Sequence, residues 1–580
     1  MSWIFGVCAS DNAAAKSAPL ARFHDTPLHV CSRPGFYLAV GGIDETCHFR
    51  TTENTRTGGW VVVGTGLERS DSQVRILTGD DWDRKLASTF DGTTSLLDEL
   101  DGHFTAVRWD SKGIACACDQ LGQRTLYYVE SGEEVFFSTR LDWLAHATQR
   151  NEVDFEALGS KWLLFNQLSY DSCIKGIRRL GPSGRAFFSN GVLKKETGSV
   201  WLPVFSGGKI DDAIAVVEGF ADCAFTQPRT VTLGLSGGID SRFLLAMLTR
   251  KGTGDVRVHT FGEPEDPDVS VAAMVARSVG AEQTLFNDPI PDPDTCLAMA
   301  RSYVAQTQLI EPVASAVRLR YYGRLRALGR MMIDGGFGEI ARRQYLNRLA
   351  RFGRFALRKG DVDALLPLMS VPRGRVFVPE VQKMLESGTR RDLQTTLESM
   401  PPLRDVGIGN FVDLLAVRTR VPNYGGPEQA RLDCEVFNFM PFVQPSFLRA
   451  VFASDVRTRA NARFYRRYIA SRKKALTRFP LVKSGSTYRF GLPLLAVHAT
   501  TFAKKKAGRY YRDGSTDAFL HTIREYVQDL AASQSVLSCP LYDSAAIRSA
   551  VQAYYSGVPG FAGTVAWWLT FEMWRSGLKR

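Results

Sequence analysis

The sequence predicts two domains of different class. Residues 1–201 read as a strand-rich domain, and residues 202–580 as an α/β domain with a doubly wound parallel sheet and a helical C-terminal part. Three observations predict this. Short strands of alternating polarity, such as Trp60-Val61-Val62-Val63 and Glu134-Val135-Phe136-Phe137, recur between Gly, Asp and Asn as far as Trp201. Beyond residue 213, helix and strand patterns alternate in the manner of a parallel sheet crossed by helices. The chain has 580 residues, more than one hydrophobic core can serve.

Composition sets outer bounds on function. With 44% hydrophobic and 23% charged residues the composition is that of a folded protein, and a large disordered fraction is not expected. A net charge of +12 and a pI near 9.2 point to anionic partners, among them nucleotide phosphates, nucleic acid or an anionic membrane surface. Nucleic acid is not expected as a partner, because no recognition motif accompanies the basic residues. The ten cysteines are scattered without a CxxC pair or clustered histidines, which predicts neither a zinc site nor a disulfide framework. The N-terminus has no basic segment followed by a long apolar run, and no apolar run approaches the ~20 residues of a membrane span. A cytoplasmic protein without a transmembrane span is the expectation.

Residues 202–212 lack periodicity and read as a linker, and residues 213–225 have the spacing of an amphipathic helix. Residues 231–235 form a short apolar strand and residues 243–248 one side of a helix. Ser236-Gly237-Gly238-Ile239-Asp240-Ser241 is the turn between them. A strand that passes through glycines into a helix makes an anion site. Gly237 and Gly238 let backbone approach phosphate oxygens, Ser236 and Ser241 donate from hydroxyls, and the first N–H groups of the helix point at the ligand. A second strand is expected over 256–262 and a helix over 268–279 with Ala272, Val275, Ala276 and Val279 inward. A third strand is expected over 283–286.

The turn at 236–241 resembles the SGGxDS pyrophosphate loop of the asparagine synthetase superfamily (class B, glutamine-hydrolysing type), whose synthetase domains are adenine nucleotide alpha-hydrolase-like. The resemblance implies that ATP is bound so that pyrophosphate leaves, a carboxylate is adenylated, and an amine attacks the acyl-adenylate. It assigns phosphate contacts to Ser236, Gly237, Gly238 and Ser241, adenine contacts to Leu235, Phe261 and Gly262, and Mg²⁺ to Asp240, a hard carboxylate beside phosphate. The bland alternative for Asp240 is an acid offsetting a helix dipole.

Met331-Met332-Ile333-Asp334-Gly335-Gly336-Phe337-Gly338-Glu339 resembles the strand and Gly-x-Gly-x-Asp-Glu loop of the same family. Glu339 falls on the family Glu and is a catalytic candidate, and Gly336 is a candidate for nucleotide binding. Gly338 stands where the family has a second Mg²⁺-binding Asp, which leaves Asp334 as the other candidate ligand. Residues 342–359 then carry Arg342, Arg343, Arg348, Arg351, Arg354, Arg358 and Lys359 without an acid, either a solvated helix or a surface for anions. Arg342 and Arg343 are the nearest to the nucleotide loop. Glu435-Val436-Phe437-Asn438-Phe439-Met440-Pro441-Phe442 resembles the Glu-x-Arg-x-Pro-Phe-Leu-Asp segment near the acceptor site, so Glu435 is a catalytic candidate or an anchor. Residues 466–476 read as a basic helix. Phe479-Pro480-Leu481-Val482-Lys483-Ser484-Gly485 resembles the Pro-x-x-x-x-Lys-x-Gly stretch, whose lysine stabilises charge on departing pyrophosphate. Residues 566–574 resemble the closing helix and read as core.

The N-terminal third resembles the family's glutaminase domain. The matching phrases are Ser2-Trp3-Ile4-Phe5-Gly6, the strand at 100–106, and Asp119-Gln120-Leu121-Gly122-Gln123-Arg124-Thr125-Leu126-Tyr127-Tyr128. The resemblance implies a four-layer αββα sandwich. In the family the residue after Met1 is the nucleophilic Cys, and here it is Ser2. The segments that hold glutamine are absent. The β-lactam synthetases and lasso-peptide cyclases, which resemble asparagine synthetase, keep such a domain without the cysteine and use an amine carried by the substrate. A structural remnant is therefore expected rather than a working glutaminase.

The expectation is an ATP- and Mg²⁺-dependent ligase that joins a small-molecule or peptide carboxylate to an amine or ammonia. The alternatives are a glutamine-dependent asparagine synthetase with Ser2 as nucleophile, a peptide or β-lactam-type cyclase, and a catalytically silent relative that acts as a binding protein. A homodimer is compatible with each.

Overall fold

Side chains of the first strand, β1 (Trp3–Ala9), divide by period two: Trp3, Phe5 and Val7 join one core and Ile4 and Cys8 another. In this computed structural model, residues 2–9, 26–51, 58–70, 73–87, 96–252, 256–371, 373–508 and 510–579 are described. Met1, whose removal a Ser2 nucleophile requires, lies outside them.

The N-terminal strands continue with β2 (His29–Arg33), β3 (Phe36–Gly41), β4 (Cys47–Thr51), β5 (Gly58–Ser70), β6 (Gln73–Ile76) and β7 (Asp101–Asp110). They end with β8 (Ile114–Cys118), β9 (Leu126–Ser131), β10 (Glu134–Ser138), β11 (Arg178–Leu180), β12 (Arg185–Ser189) and β13 (Val192–Thr197). They form two antiparallel sheets. One has the order β11-β9-β10-β1-β3-β2, the other β13-β12-β8-β7-β5-β4 with β6 paired to β5. Ile4, Val40, Val63, Val107 and Phe137 pack between the sheets. The outer face of the second sheet is covered by Trp82 and Leu86 of the helix Gly79–Ala87. The outer face of the first is covered by helices Leu141–Ala147 and Phe155–Leu163, through Leu144, Leu158 and Trp162.

That outer layer is continuous with the C-terminal helices. Trp568, Leu569 and Phe571 of the helix Ala562–Gly577 enter the same core, as the aromatic run at 566–574 predicted. The helix Phe155–Leu163 also lies against the helix Pro379–Glu398. A Cβ on Gly159 would come 2.3 Å from the carbonyl of Leu385, and one on Gly388 would come 2.0 Å from the carbonyl of Glu156. The two glycines permit a backbone approach that no other residue pair would allow.

After β13 no helix or strand occurs until the helix Ile210–Phe225, and the parallel sheet begins with β14 (Thr230–Gly234). Its other strands are β15 (Val256–Phe261), β16 (Glu282–Phe286), β17 (Arg330–Ile333) and β18 (Asn438–Phe439), in the order β16-β15-β14-β17-β18. All neighbours run parallel. Val231, Thr232 and Leu233 are all buried because both faces of the sheet are covered, and Thr232 is satisfied at 3.0 Å by Nδ1 of His259. Burial pulls the His259 imidazole down to about 3, so it is neutral.

The chain leaves β14 toward β15 on one side and returns to β17 on the other. This reversal opens a crevice at the carboxyl end of β14, where the glycine loop lies. Two expected helices are shorter than their sequence patterns. The basic stretch after Glu339 breaks at Gly353 into helices Asn347–Phe352 and Arg354–Lys359, and residues 466–476 resolve into the helix Arg463–Arg472 and a 3₁₀ turn, Lys474–Arg478. Among the described residues no helix is long and apolar enough to cross a membrane.

Candidate functional site

The loop after β14 is organised by its own hydroxyls. Ser241 Oγ accepts the Ser236 N–H at 3.2 Å and lies 3.1 Å from Ser236 Oγ, which in turn accepts the Gly238 N–H at 3.2 Å. Gly238 precedes the helix Ile239–Leu248 without a side-chain cap, which leaves the first helical N–H groups open to a ligand. The Gly237 N–H is engaged: Asp268 Oδ1 accepts it at 2.8 Å. Burial raises the Asp268 carboxyl above its ordinary value, and that hydrogen bond opposes the rise.

This loop opens on a cleft of 1180 Å³. Of the residues that the sequence assigned to nucleotide and metal, Leu235, Ser236, Gly238, Asp240, Ser241, Phe261, Gly262, Asp334 and Gly336 line it. Gly237 sits behind them, where a Cβ would come 2.3 Å from Val482. Thr260 Oγ1 donates to the Leu235 carbonyl at 2.9 Å, and the Gly262 N–H donates to the Phe286 carbonyl at 3.1 Å, so the ends of β14, β15 and β16 are tied together. Phe261 stacks on Phe286 at 5.6 Å and on Tyr321 at 5.5 Å, giving the cleft an aromatic wall. Phe286 and Tyr321 were not singled out in the sequence, since aromatics at strand ends and helix starts read as core.

A second cavity of 370 Å³ adjoins the loop at Gly238 and contains Glu339, Arg342, Arg463, Arg466 and Lys483. Lys483 ends β19 (Leu481–Lys483), which pairs with β20 (Ser486–Tyr488) through a two-residue turn. Ser484 (φ 49°) and Gly485 (φ 69°) both take positive φ, as a tight primed hairpin turn requires. The hairpin is fastened to the loop, because the Val482 N–H donates to the Gly237 carbonyl at 3.0 Å. Arg242 fastens it again from below. Fully buried, it donates to the carbonyls of Leu476 (3.2 Å), Phe479 (2.9 Å) and Pro480 (2.6 Å). The signal in the sequence for Arg242 is a charge inside the apolar run that follows Asp240, and sequence reasoning gave it no role.

Asp240 lines the cleft with its carboxylate already paired. Arg342 closes on it from Nε to Oδ1 at 2.6 Å and from Nη2 to Oδ2 at 2.8 Å. A Cβ on Gly338 would come 2.6 Å from Asp240 Cγ, so this carboxylate occupies the space that a side chain at 338 would need. Asp334 accepts the Gly336 N–H at 2.6 Å, and burial raises its carboxyl. Burial and then the charge of Asp240 raise the Glu339 carboxyl, with Arg420 Nε 3.9 Å away. Among the described residues no group of three or more His, Cys, Asp or Glu side chains could hold a metal ion. These residues do not fit a resident Mg²⁺. Asp240 is spent on Arg342, residue 338 has no carboxylate, and Asp334 is bonded within its own turn.

The loop carrying Glu339 is held by Phe337, which takes φ 66°, a left-handed conformation unusual for an aromatic residue. Its ring packs on Gly425, where a Cβ would come 2.7 Å from it, in a π-helical turn at Val421–Gly425. Arg343, the other basic candidate, turns into the core toward Asp413 at 3.3 Å. Arg348, Arg351, Arg354, Arg358 and Lys359 stay on the surface. Glu435 lines neither cavity; it lies beside Gly323, where a Cβ would be 3.3 Å from its Oε2.

The position that resembles the glutaminase nucleophile is sealed. Ser2 is fully buried; its hydroxyl meets that of Thr46 and donates to the Asp433 carbonyl at 3.0 Å, and Arg124 holds its carbonyl. Asp433 belongs to the C-terminal part and also meets His103 Nε2 at 3.0 Å. Gly102 N–H donates to Gln444 Oε1 at 2.7 Å and Asp101 Oδ1 accepts the Ser446 N–H at 2.7 Å. The phrases that resemble the glutaminase domain thus form the seam between the two parts of the chain.

Residues 67–146 match the family model of a glutamine amidotransferase domain. The chain contains a glutamine amidotransferase-like domain. No curated protein matches the sequence. Among solved structures the chain is similar to the glutamine phosphoribosylpyrophosphate amidotransferase from B. subtilis complexed with ADP and GMP. That similarity has 11% identity and a TM-score of 0.21, over 50% of this chain and 85% of that one. A structure described as the allosteric regulatory enzyme of purine biosynthesis is similar at 11% identity and a TM-score of 0.20, over 50% of this chain and 76% of that one. Beside this amidotransferase-like domain lies the parallel-sheet region with the glycine loop and the two cavities described above.

Proposed function

We propose that this chain is an ATP-dependent amide-forming ligase of the asparagine synthetase type, which adenylates a carboxylate and passes the acyl group to an amine or ammonia. The observation that carries the reading is the junction of the Lys483 hairpin with the glycine loop through Val482 and Gly237. It sets the Lys483 cation in the 370 Å³ cavity that meets the loop at Gly238, beside open helical N–H groups, while Gly238, Ser484 and Gly485 line the adjoining 1180 Å³ cleft. In the reaction a carboxylate oxygen attacks the α-phosphorus, the bond to the bridging oxygen breaks, and pyrophosphate leaves with its electrons. Backbone N–H groups and Lys483 stabilise the charge that grows on the leaving group. The amine then displaces AMP from the acyl carbon.

The sealed Ser2 supports an amine acceptor over glutamine-derived ammonia. ATP–pyrophosphate exchange across a panel of carboxylates tests the reading. Carboxylate-dependent exchange that falls at least a hundredfold in Lys483→Ala is expected; no exchange with any carboxylate defeats it.

The second reading is a silent relative that binds a partner, and the closed Asp240–Arg342 pair favours it. Calorimetry separates the two, since a silent relative would take up no ATP.

A further inference from the structure

The 370 Å³ cavity beside the loop has an unusual charge balance. Arg463, Arg466 and Lys483 face it with a single acid, Glu339, while the fourth cation, Arg342, is already matched by Asp240. Among the described residues no carboxylate lies within ion-pair distance of Lys483, Arg463 or Arg466. Among the described residues the buried Nη1 of Arg466 has no hydrogen-bond partner. A buried donor left in this state is destabilising unless something binds to it. Desolvation, followed by repulsion from Arg342, holds the Lys483 ammonium below its ordinary value, and desolvation lowers Arg466 as well. Each of these costs is relieved by an anion carrying two or more charges.

The disagreement with a magnesium site has the same origin. Where a second metal-binding carboxylate is expected, Gly338 leaves room for Asp240 to turn aside, and Arg342 fills the space between Asp240 and the cavity with a fixed positive charge. A guanidinium held bidentately by one carboxylate keeps its remaining N–H groups for another oxyanion.

We propose that the cavity bounded by Arg342, Arg466 and Lys483 is a polyphosphate site that works without a protein-held divalent cation, with Arg342 standing in for the metal. This rests on the ligase reading for its role, since the pyrophosphate end of a nucleoside triphosphate is the ligand class it would take. It differs from that reading in what it requires of the metal.

Calorimetric titration of the full chain with inorganic pyrophosphate, in EDTA and then in excess Mg²⁺, tests it. Binding in EDTA is expected, with affinity within about threefold of that in Mg²⁺. Arg466→Gln and Lys483→Gln should each weaken it tenfold or more, while the exposed Arg348→Gln leaves it unchanged. ATP should bind in EDTA and AMP should not, which separates the triphosphate tail from the nucleoside as the source of recognition. If Lys483→Gln does not fold, Arg466→Gln carries the test. Binding that appears only with Mg²⁺, or that ignores Arg466→Gln in EDTA, overturns the proposal. Exchange activity separates the two failures: Mg²⁺-only binding with intact ATP–pyrophosphate exchange rejects the metal-free site and keeps the ligase. Metal-free binding with no exchange rejects the ligase and keeps the site.

Discussion

Arg242 Nη2 donates to the Pro480 carbonyl at 2.6 Å, joining the helix that opens the glycine loop to the strand that delivers Lys483. Two further carbonyls, of Leu476 and Phe479, rest on the same guanidinium. Arg242→Gln strands buried acceptors and is expected to cost about 3 kcal/mol. The check is chemical denaturation together with the nucleotide-binding titration. Stability and pyrophosphate affinity should fall together, because the hairpin loses its anchor.

The close pairing of Gly159 and Gly388 predicts that Gly388→Ala separates the two helices. The new Cβ would lie 2.0 Å from the Glu156 carbonyl, and neither partner is a flexible side chain. A loss of about 2 kcal/mol is expected. Limited proteolysis between the helices should accelerate in step with it.

Asp392 predicts a pH dependence. It is buried, accepts from Ser160 Oγ at 2.7 Å, and burial raises its carboxyl to about 6. The folded state therefore binds this proton more tightly than the unfolded state, so stability is full below the unfolded value near 3.8 and is lost as pH rises toward 6. Asp392→Asn keeps an acceptor for Ser160 and removes the ionisation. Its stability should vary less between pH 4 and 6 than that of the parent and exceed it at pH 7 by on the order of 2 kcal/mol. Denaturation midpoints across that range check this.

Ser2→Ala predicts a structural rather than a chemical loss. It removes the hydroxyl that meets Thr46 and the Asp433 carbonyl, at a cost of about 1 kcal/mol. Glutamate release from glutamine, measured on both proteins, should be identical. A drop in the variant would assign Ser2 a catalytic role.

Much of this was readable from residue order, because strand, turn and helix signals are local. The short strands at 60–63 and 134–137, the apolar strand at 231–235 and the glycines after it need no distant partner to be recognised. They led to antiparallel sheets in the N-terminal part, a parallel sheet with the glycine loop after its first strand, and helices toward the C-terminus. The tertiary structure alone decided which charges meet. Asp240 and Arg342 are 102 positions apart, Arg242 and Pro480 are 238 apart, and Ser2 and Asp433 are 431 apart. No periodic pattern links such pairs. An isolated Asp in a phosphate loop reads as a metal ligand until the fold brings a guanidinium to it, since the energy of a charge depends on its neighbours in space and not on its neighbours in the chain.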